Sequence, residues 1–393
     1  MKANKGFYIQ GVLAGLLLFL LAAPYYMWEH ESLGYFLRLV YGGILLINYR
    51  KGKDSFSVVW VFLLVYLSIA AGSSIIAFLL FIFSNIFLLS AKPEFRKVAY
   101  QSFYFIFVAF AVLSSINYIL FLLGIPLPSR EIAPLNDLKD YNYIAYPFMV
   151  LSNDIKDLIR FRGLFDEPGA MATYCFLFLW AEKFNLAKWS NVVLMVAGFF
   201  TLSLFFYVAI GVVMIVKIFS KGTSIWFRVV SISLIAIFSY SLTIEDSITS
   251  IAIGDRLEYD EEKGFSGNNR SNQYTDMYYD QVRWKDPLFF WGPTLSGVDK
   301  AKVASQVEGS AGYKNAILLN GLFSCLFYVL FFLLYARKAM KKKRDYFLFI
   351  ICFFMTLYQR PFLTDIVYLF LFVSIIKLQE NQPDLARDGT LLK

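Results

Sequence analysis

Five stretches of this chain are apolar on every side: Val12 to Ala23, Phe56 to Ala71, Ile75 to Ala91, Tyr313 to Tyr335 and Tyr346 to Leu357. Their residues come in blocks instead of recurring at a 3.6-residue period. A helix that is apolar all round has no wet face and belongs in lipid or deep in a core. The strand alternation of an outer-membrane barrel is absent. Composition separates the two environments. With 58% apolar and 17% charged residues over 393 positions, the chain lacks the polar surface that a soluble domain of this size needs. The expected fold is all-α, a polytopic transmembrane bundle forming a single membrane-embedded domain.

Spans are predicted near 7–28, 33–49, 56–71, 74–91, 98–124, 168–183, 190–203, 204–220, 225–243, 313–336, 346–358 and 364–377, roughly 10–12 in all. The range reflects two tight junctions, Ala71-Gly72-Ser73-Ser74 and Thr201-Leu202-Ser203, each of which suits one long helix or two short ones. The net charge of +8 does not point to nucleic acid, because the excess lies in short clusters between apolar blocks. These are Lys2 and Lys5; Arg50, Lys51 and Lys53; Lys92, Arg96 and Lys97; Lys183 and Lys188; Lys217 and Lys221; and Arg337 to Arg344. Such spacing is the positive-inside signature, and with both termini inside every cluster falls on the cytoplasmic side. The expected location is a bacterial cytoplasmic membrane. Lys2, Lys5 and the run ending Leu21-Ala22-Ala23 imitate a signal peptide but are read as an uncleaved first anchor. Cys175, Cys325 and Cys352 fall inside apolar blocks and suggest neither disulfides nor a metal cluster.

Two long segments, 125–167 and 244–312, then face the exterior. The first opens with the turn Ile125-Pro126-Leu127-Pro128-Ser129 and is expected to hold a short amphipathic helix around 148–161. The second is acidic at its start and Gly/Asn-rich at Gly264 to Asn269, with a helix expected from Ser271 to Trp284 and breaks at Pro287 and Pro293. The tail, 381–393, reads as flexible. The outward segments carry Arg160, Arg162, Arg256, Arg270 and Arg283, against the orientation rule. Solvated arginines paired with neighbouring acids would explain each one singly. As a set they suit a phosphate-bearing ligand, since a guanidinium stays charged and forks two hydrogen bonds to phosphate oxygens. The densest run is Arg160-Phe161-Arg162-Gly163-Leu164-Phe165-Asp166-Glu167-Pro168-Gly169. Pro168 fits a first helical turn, and Asp166 and Glu167 fit its positive end as caps. Capping leaves the arginines unexplained, and a carboxylate beside fixed positive charge is also a general-base candidate for a hydroxyl.

That run resembles the Wzy-type O-antigen polymerases, as do three later features. These are Trp291-Gly292-Pro293 ahead of Tyr313-Lys314-Asn315 and Asn320-Gly321, Tyr358-Gln359-Arg360-Pro361 between the last two spans, and the Arg256-x10-Gly267 spacing. The sequence departs from the family at Asn320, where many relatives have Glu, and at Leu204, where an Arg often follows the junction. The resemblance implies a membrane glycosyltransferase of the GT-C class acting on undecaprenyl-pyrophosphate-linked oligosaccharides, without metal or other cofactor. A chain-length regulator is a further partner of such enzymes. Within that frame Glu167, then Asp166, is the expected base. Arg160, Arg162, Arg256, Arg270, Arg283, Arg360 and Tyr313 are the expected pyrophosphate and sugar contacts.

Three other readings stay open. An O-antigen ligase shares the architecture, but the single histidine, His30, lies outside the large loop where ligases carry one. A flippase or secondary transporter would place its polar residues near mid-membrane, whereas here they concentrate in the outward segments. A structural scaffold would leave the arginines without a purpose. The 42 Phe, 26 Tyr and 7 Trp fit lipid-facing and interfacial belts, with Tyr274, Tyr278, Tyr279, Trp284 and Trp291 also able to stack on sugars. Arg38 and Arg228, inside apolar blocks, read as snorkelling side chains.

Overall fold

A computed structural model describes residues 5–50, 56–72, 74–134, 142–153, 160–219, 259–260, 264–265, 273–293 and 312–380, with isolated positions between 225 and 240. Helices dominate: α1 (Lys5–Leu21), α2 (Glu31–Ile47), α3 (Phe56–Ala70), α4 (Ile75–Asn85), α5 (Pro93–Leu122), α6 (Pro168–Ala181), α7 (Trp189–Phe200) and α8 (Leu204–Ile218) precede the second long segment. That segment contributes α9 (Gln273–Val282) and α10 (Pro287–Trp291), and the chain closes with α11 (Tyr313–Asn320), α12 (Leu322–Ala339), α13 (Lys343–Gln359) and α14 (Ile366–Glu380). Both tight junctions turn the chain between two short helices, α3–α4 and α7–α8. Among the described residues two helices, α5 and α12, are long and apolar enough to cross a membrane, and eight further apolar helices are shorter. The span expected at 225–243 and the tail after Glu380 lie outside the described residues, apart from single positions.

Helix ends follow local chemistry. Pro93 opens α5, where its missing N–H costs nothing, and Glu94 sits in the first turn against the positive dipole end. Ser74 caps α4 by accepting from the Ala77 N–H at 3.3 Å. The core is built around α6 and α14, whose residues are almost all buried on every side. Helix α14 touches α1, α4, α5, α6 and α12. Helix α1 lies along α5, with Gly11 and Gly15 at the crossing. A Cβ on Gly15 would sit 2.7 Å from the Ala99 carbonyl oxygen, so small residues four apart let the backbones meet. The outward faces of the surrounding helices are themselves apolar, with Phe62, Ile75, Ile116, Leu330 and Phe354 all exposed.

The bundle has two chemically distinct ends. Tyr100, early in α5, donates to Glu182 just past α6, and Glu182 pairs with Lys188. Lys217 donates to the Lys183 and Phe184 carbonyls, Lys92 lies over the Phe7 ring, Lys338 over Phe56 and Lys377 over Tyr335. The described lysines of the basic clusters therefore gather at the end where α5 starts and α6 and α14 finish. The described sheet after α5 and the α13–α14 turn lie at the other end.

Two expectations need correction. The helix expected around 148–161 is replaced in its first part by a strand, and 154–159 lie outside the described residues. Arg130–Ile132, Tyr143–Tyr146 and Met149–Ser152 form a three-stranded antiparallel sheet, with Tyr143 opposite Ser152 and Tyr146 opposite Met149. Aromatic and branched residues flank the Pro147-Phe148 turn, and proline there fits a hairpin better than a helix interior. The block 313–336 is divided at Gly321, whose φ of +78° no helix accepts. Gly321 meets Gly292 back to back, so a Cβ on Gly321 would lie 2.5 Å from the Gly292 nitrogen. Gly321→Ala should therefore cost about 2 kcal/mol or more through left-handed backbone and clash. The measurement is the thermal unfolding midpoint in detergent, which should fall for G321A and hold or rise for G34A, where nothing lies within 4 Å.

Candidate active site

The run from Arg160 to Gly169 folds as the link between the small sheet and α6. The Gly163 carbonyl accepts from the Val150 N–H at 2.8 Å, and the Leu164 carbonyl from the Tyr25 N–H at 2.8 Å, which ties the link to the sheet and to the α1–α2 turn. Gly163 takes a φ of +56°, a conformation that glycine adopts without strain. Arg162 is buried, lies over the Tyr143 ring and donates to the Asp166 carbonyl at 2.6 Å and the Tyr143 hydroxyl at 3.4 Å. The Tyr143 hydroxyl itself donates to the same Asp166 carbonyl at 2.9 Å. Arg160 turns away and donates to the Thr201 and Leu202 carbonyls at 3.3 and 3.2 Å, at the end of α7.

Glu167 stands at the N-cap of α6, yet its side chain makes no capping bond. It pairs instead with Arg360, whose Nη2 donates to Glu167 Oε2. The Arg360 side chain is 8% exposed and that of Glu167 45%, so one partner is inside and the other at the rim. Burial works against the Arg360 charge, but Glu167, Tyr368 and Asp166 outweigh it and its pKa lies above the ordinary arginine value. The Arg360 Nε is buried without a hydrogen-bond partner. Gly169 makes room for the pair, since a Cβ there would come 3.0 Å from Gln359 Nε2 and 3.5 Å from Arg360 Nη2.

Asp365 follows five residues after Arg360 and caps α14, accepting from the Val367 and Tyr368 N–H groups at 2.8 and 3.0 Å through Oδ1. It is half-buried, and it lies within charge range of Arg38, Tyr174, Tyr328 and Tyr368. Burial pushes its carboxyl above the usual aspartate range, against the two backbone donors and Arg38. Neither Asp365 nor Gln359 stood among the expected site residues. A Thr-Asp pair opening an apolar run, next to an Arg-Pro turn, was the signal available for Asp365.

The second long segment builds a separate cluster. Lys314 pairs with Asp276 at 2.5 Å and lies over the Tyr279 ring, which contacts the rings of Tyr313 and Phe289. Arg283 pairs with Asp280 one turn back at 3.4 Å, both exposed. The structure thus brings together Arg162, Asp166, Glu167 and Arg360. It places Arg160 at the α7–α8 junction, and Arg283 and Tyr313 in this second cluster. Arg256, Arg270 and Gly267 lie outside the described residues. Among the described residues no group of three or more His, Cys, Asp and Glu is placed to hold a metal ion.

Two outcomes follow. Arg162→Ala removes the charged one of two donors to the half-buried Asp166 carbonyl and should cost about 1–3 kcal/mol, seen as a lower thermal midpoint. For Asp365 the raised carboxyl pKa means that the folded state holds its proton more tightly than the unfolded one. Its stabilising contribution is present below the unfolded value and lost as pH rises through the folded pKa. Wild type should therefore lose stability relative to Asp365→Asn over that window, read as the difference between their thermal midpoints against pH. No family model, curated protein or solved structure matches this chain.

Proposed function

We infer that this chain is a polytopic glycosyltransferase of the bacterial cytoplasmic membrane. It polymerises oligosaccharide repeat units carried on undecaprenyl pyrophosphate into a surface polysaccharide such as O-antigen. The observation that carries this reading is the Glu167–Arg360 pair, a guarded cation at the end of the bundle opposite the basic clusters. The membrane frame is supported by the apolar outer faces of the helices and by the described lysines of the basic clusters sharing one end of the bundle. Helices of about 15 residues span about 22 Å, less than a 30 Å hydrocarbon core, so tilted packing and local thinning accompany them.

In this reading a hydroxyl at the non-reducing end of one unit attacks the anomeric carbon of another, and the lipid pyrophosphate leaves with the bonding pair. Arg360 is positioned to meet that growing charge, and Glu167 fixes the direction of its guanidinium. Because the donor arrives already activated, charge neutralisation by arginine suffices to release it. Of the other described arginines expected at the site, Arg160 and Arg162 brace the scaffold through backbone carbonyls, and Arg283 sits in an exposed pair with Asp280 just past α9.

The test is incubation of purified protein with synthetic lipid-pyrophosphate repeat units, read as a polymer ladder. Wild type should build the ladder. Arg360→Ala should slow it by about 10²–10³-fold, the usual cost of one charge-stabilising donor. Glu167→Gln should also slow it while the protein stays in the membrane. Transport of intact units across vesicles with no ladder would instead assign a flippase, and transfer of polymer to a lipid A core would assign a ligase.

A further inference from the structure

Arg360 settles one half of a transfer reaction, the departing pyrophosphate; the other half needs a group to receive the hydroxyl proton. Glu167 already has a task, because its Oε2 accepts from Arg360 Nη2 and holds that guanidinium in place. The carboxylate that shares the α13–α14 turn with Arg360 is Asp365. Its Oδ1 is committed to the Val367 and Tyr368 N–H groups, which fixes the side chain and leaves Oδ2 as the oxygen not used by the cap. It is recessed but accessible, and α2, α6, α12 and α14 each bring a polar group within charge range: Arg38, Tyr174, Tyr328 and Tyr368.

We propose that Asp365 is the general base, taking the acceptor hydroxyl proton on Oδ2 while Glu167 positions Arg360. This deepens the polymerase reading and rests on it. The acceptor oxygen forms its bond to the anomeric carbon as the carbon–oxygen bond to pyrophosphate breaks. The electron pair leaves on the pyrophosphate, and the proton passes to Asp365 and then to bulk water. A desolvated carboxylate is a stronger base than a solvated one, which is the property the step uses.

Asn keeps an oxygen at the cap and removes the base, so Asp365→Asn separates the two roles. With synthetic lipid-pyrophosphate units, D365N should fold as wild type does, with ladder formation reduced by about 10²–10⁴-fold. The acidic limb in the pH dependence of wild-type kcat/KM should lie above the ordinary aspartate range. That limb should persist in the residual activity of E167Q and vanish in D365N. A wild-type ladder with D365N extending at the same rate overturns the base assignment and leaves the polymerase reading intact. So does a wild-type profile flat through that range, a measurement that does not depend on any variant folding. Folded wild type that makes no ladder at all removes the polymerase reading, and the assignment goes with it.

Discussion

A buried guanidinium must be answered where it lies, and Arg360 is answered by Glu167. The pair spans the turn between the last two helices and the N-terminus of α6, so it joins the two helices on which the core is built. Breaking such a contact strands a charge in a low-dielectric setting, a cost of about 3–5 kcal/mol in other proteins. The surroundings reflect that stake. Gly169 clears the space, Gln359 is buried beside it, and the N-cap of α6 forgoes the side-chain bond that Glu167 would otherwise make.

Close backbone approach does comparable work elsewhere. Gly11 and Gly15 seat α1 along α5, and Gly292 and Gly321 seat the second long segment on the α11–α12 break. In the membrane setting proposed for this chain the hydrophobic effect would give helices little reason to associate, and packing between small residues and shared polar contacts would carry the association. The glycine positions and the ionic pair are thus two answers to one problem, how apolar helices find a fixed partner.

Arginines that look alike in sequence differ in what they do. Arg162 braces the approach to α6 from inside, Arg160 holds the α7–α8 junction, Arg283 rests against its own helix, and Arg360 is the guarded charge. A guanidinium offers five donors, and a backbone carbonyl or a carboxylate satisfies them as well as a phosphate does. Residue type therefore narrows the chemistry and leaves the role to the neighbours.

Most apolar blocks among the described residues were legible from composition, though the block at 313–336 breaks at Gly321, and the helix start at Pro168 was legible because it depends on local chemistry. The helix expected over Ser271–Trp284 is present as α9, Gln273–Val282, and the described lysines of the basic clusters share one end of the bundle. The hairpin at Tyr143–Ser152 went unread because a short apolar run suits strand and helix alike until a partner is known. The site was legible only in part. Arg360 and Glu167 stood out as charges next to prolines, yet 193 positions separate them. Their pairing, the burial of Arg162 and the exposure of Asp365 to α2, α6 and α12 are decided by which helix ends meet. Sequence determines each helix by contacts a few residues apart; only tertiary structure determines which charges share a place, because that depends on contacts hundreds of residues apart.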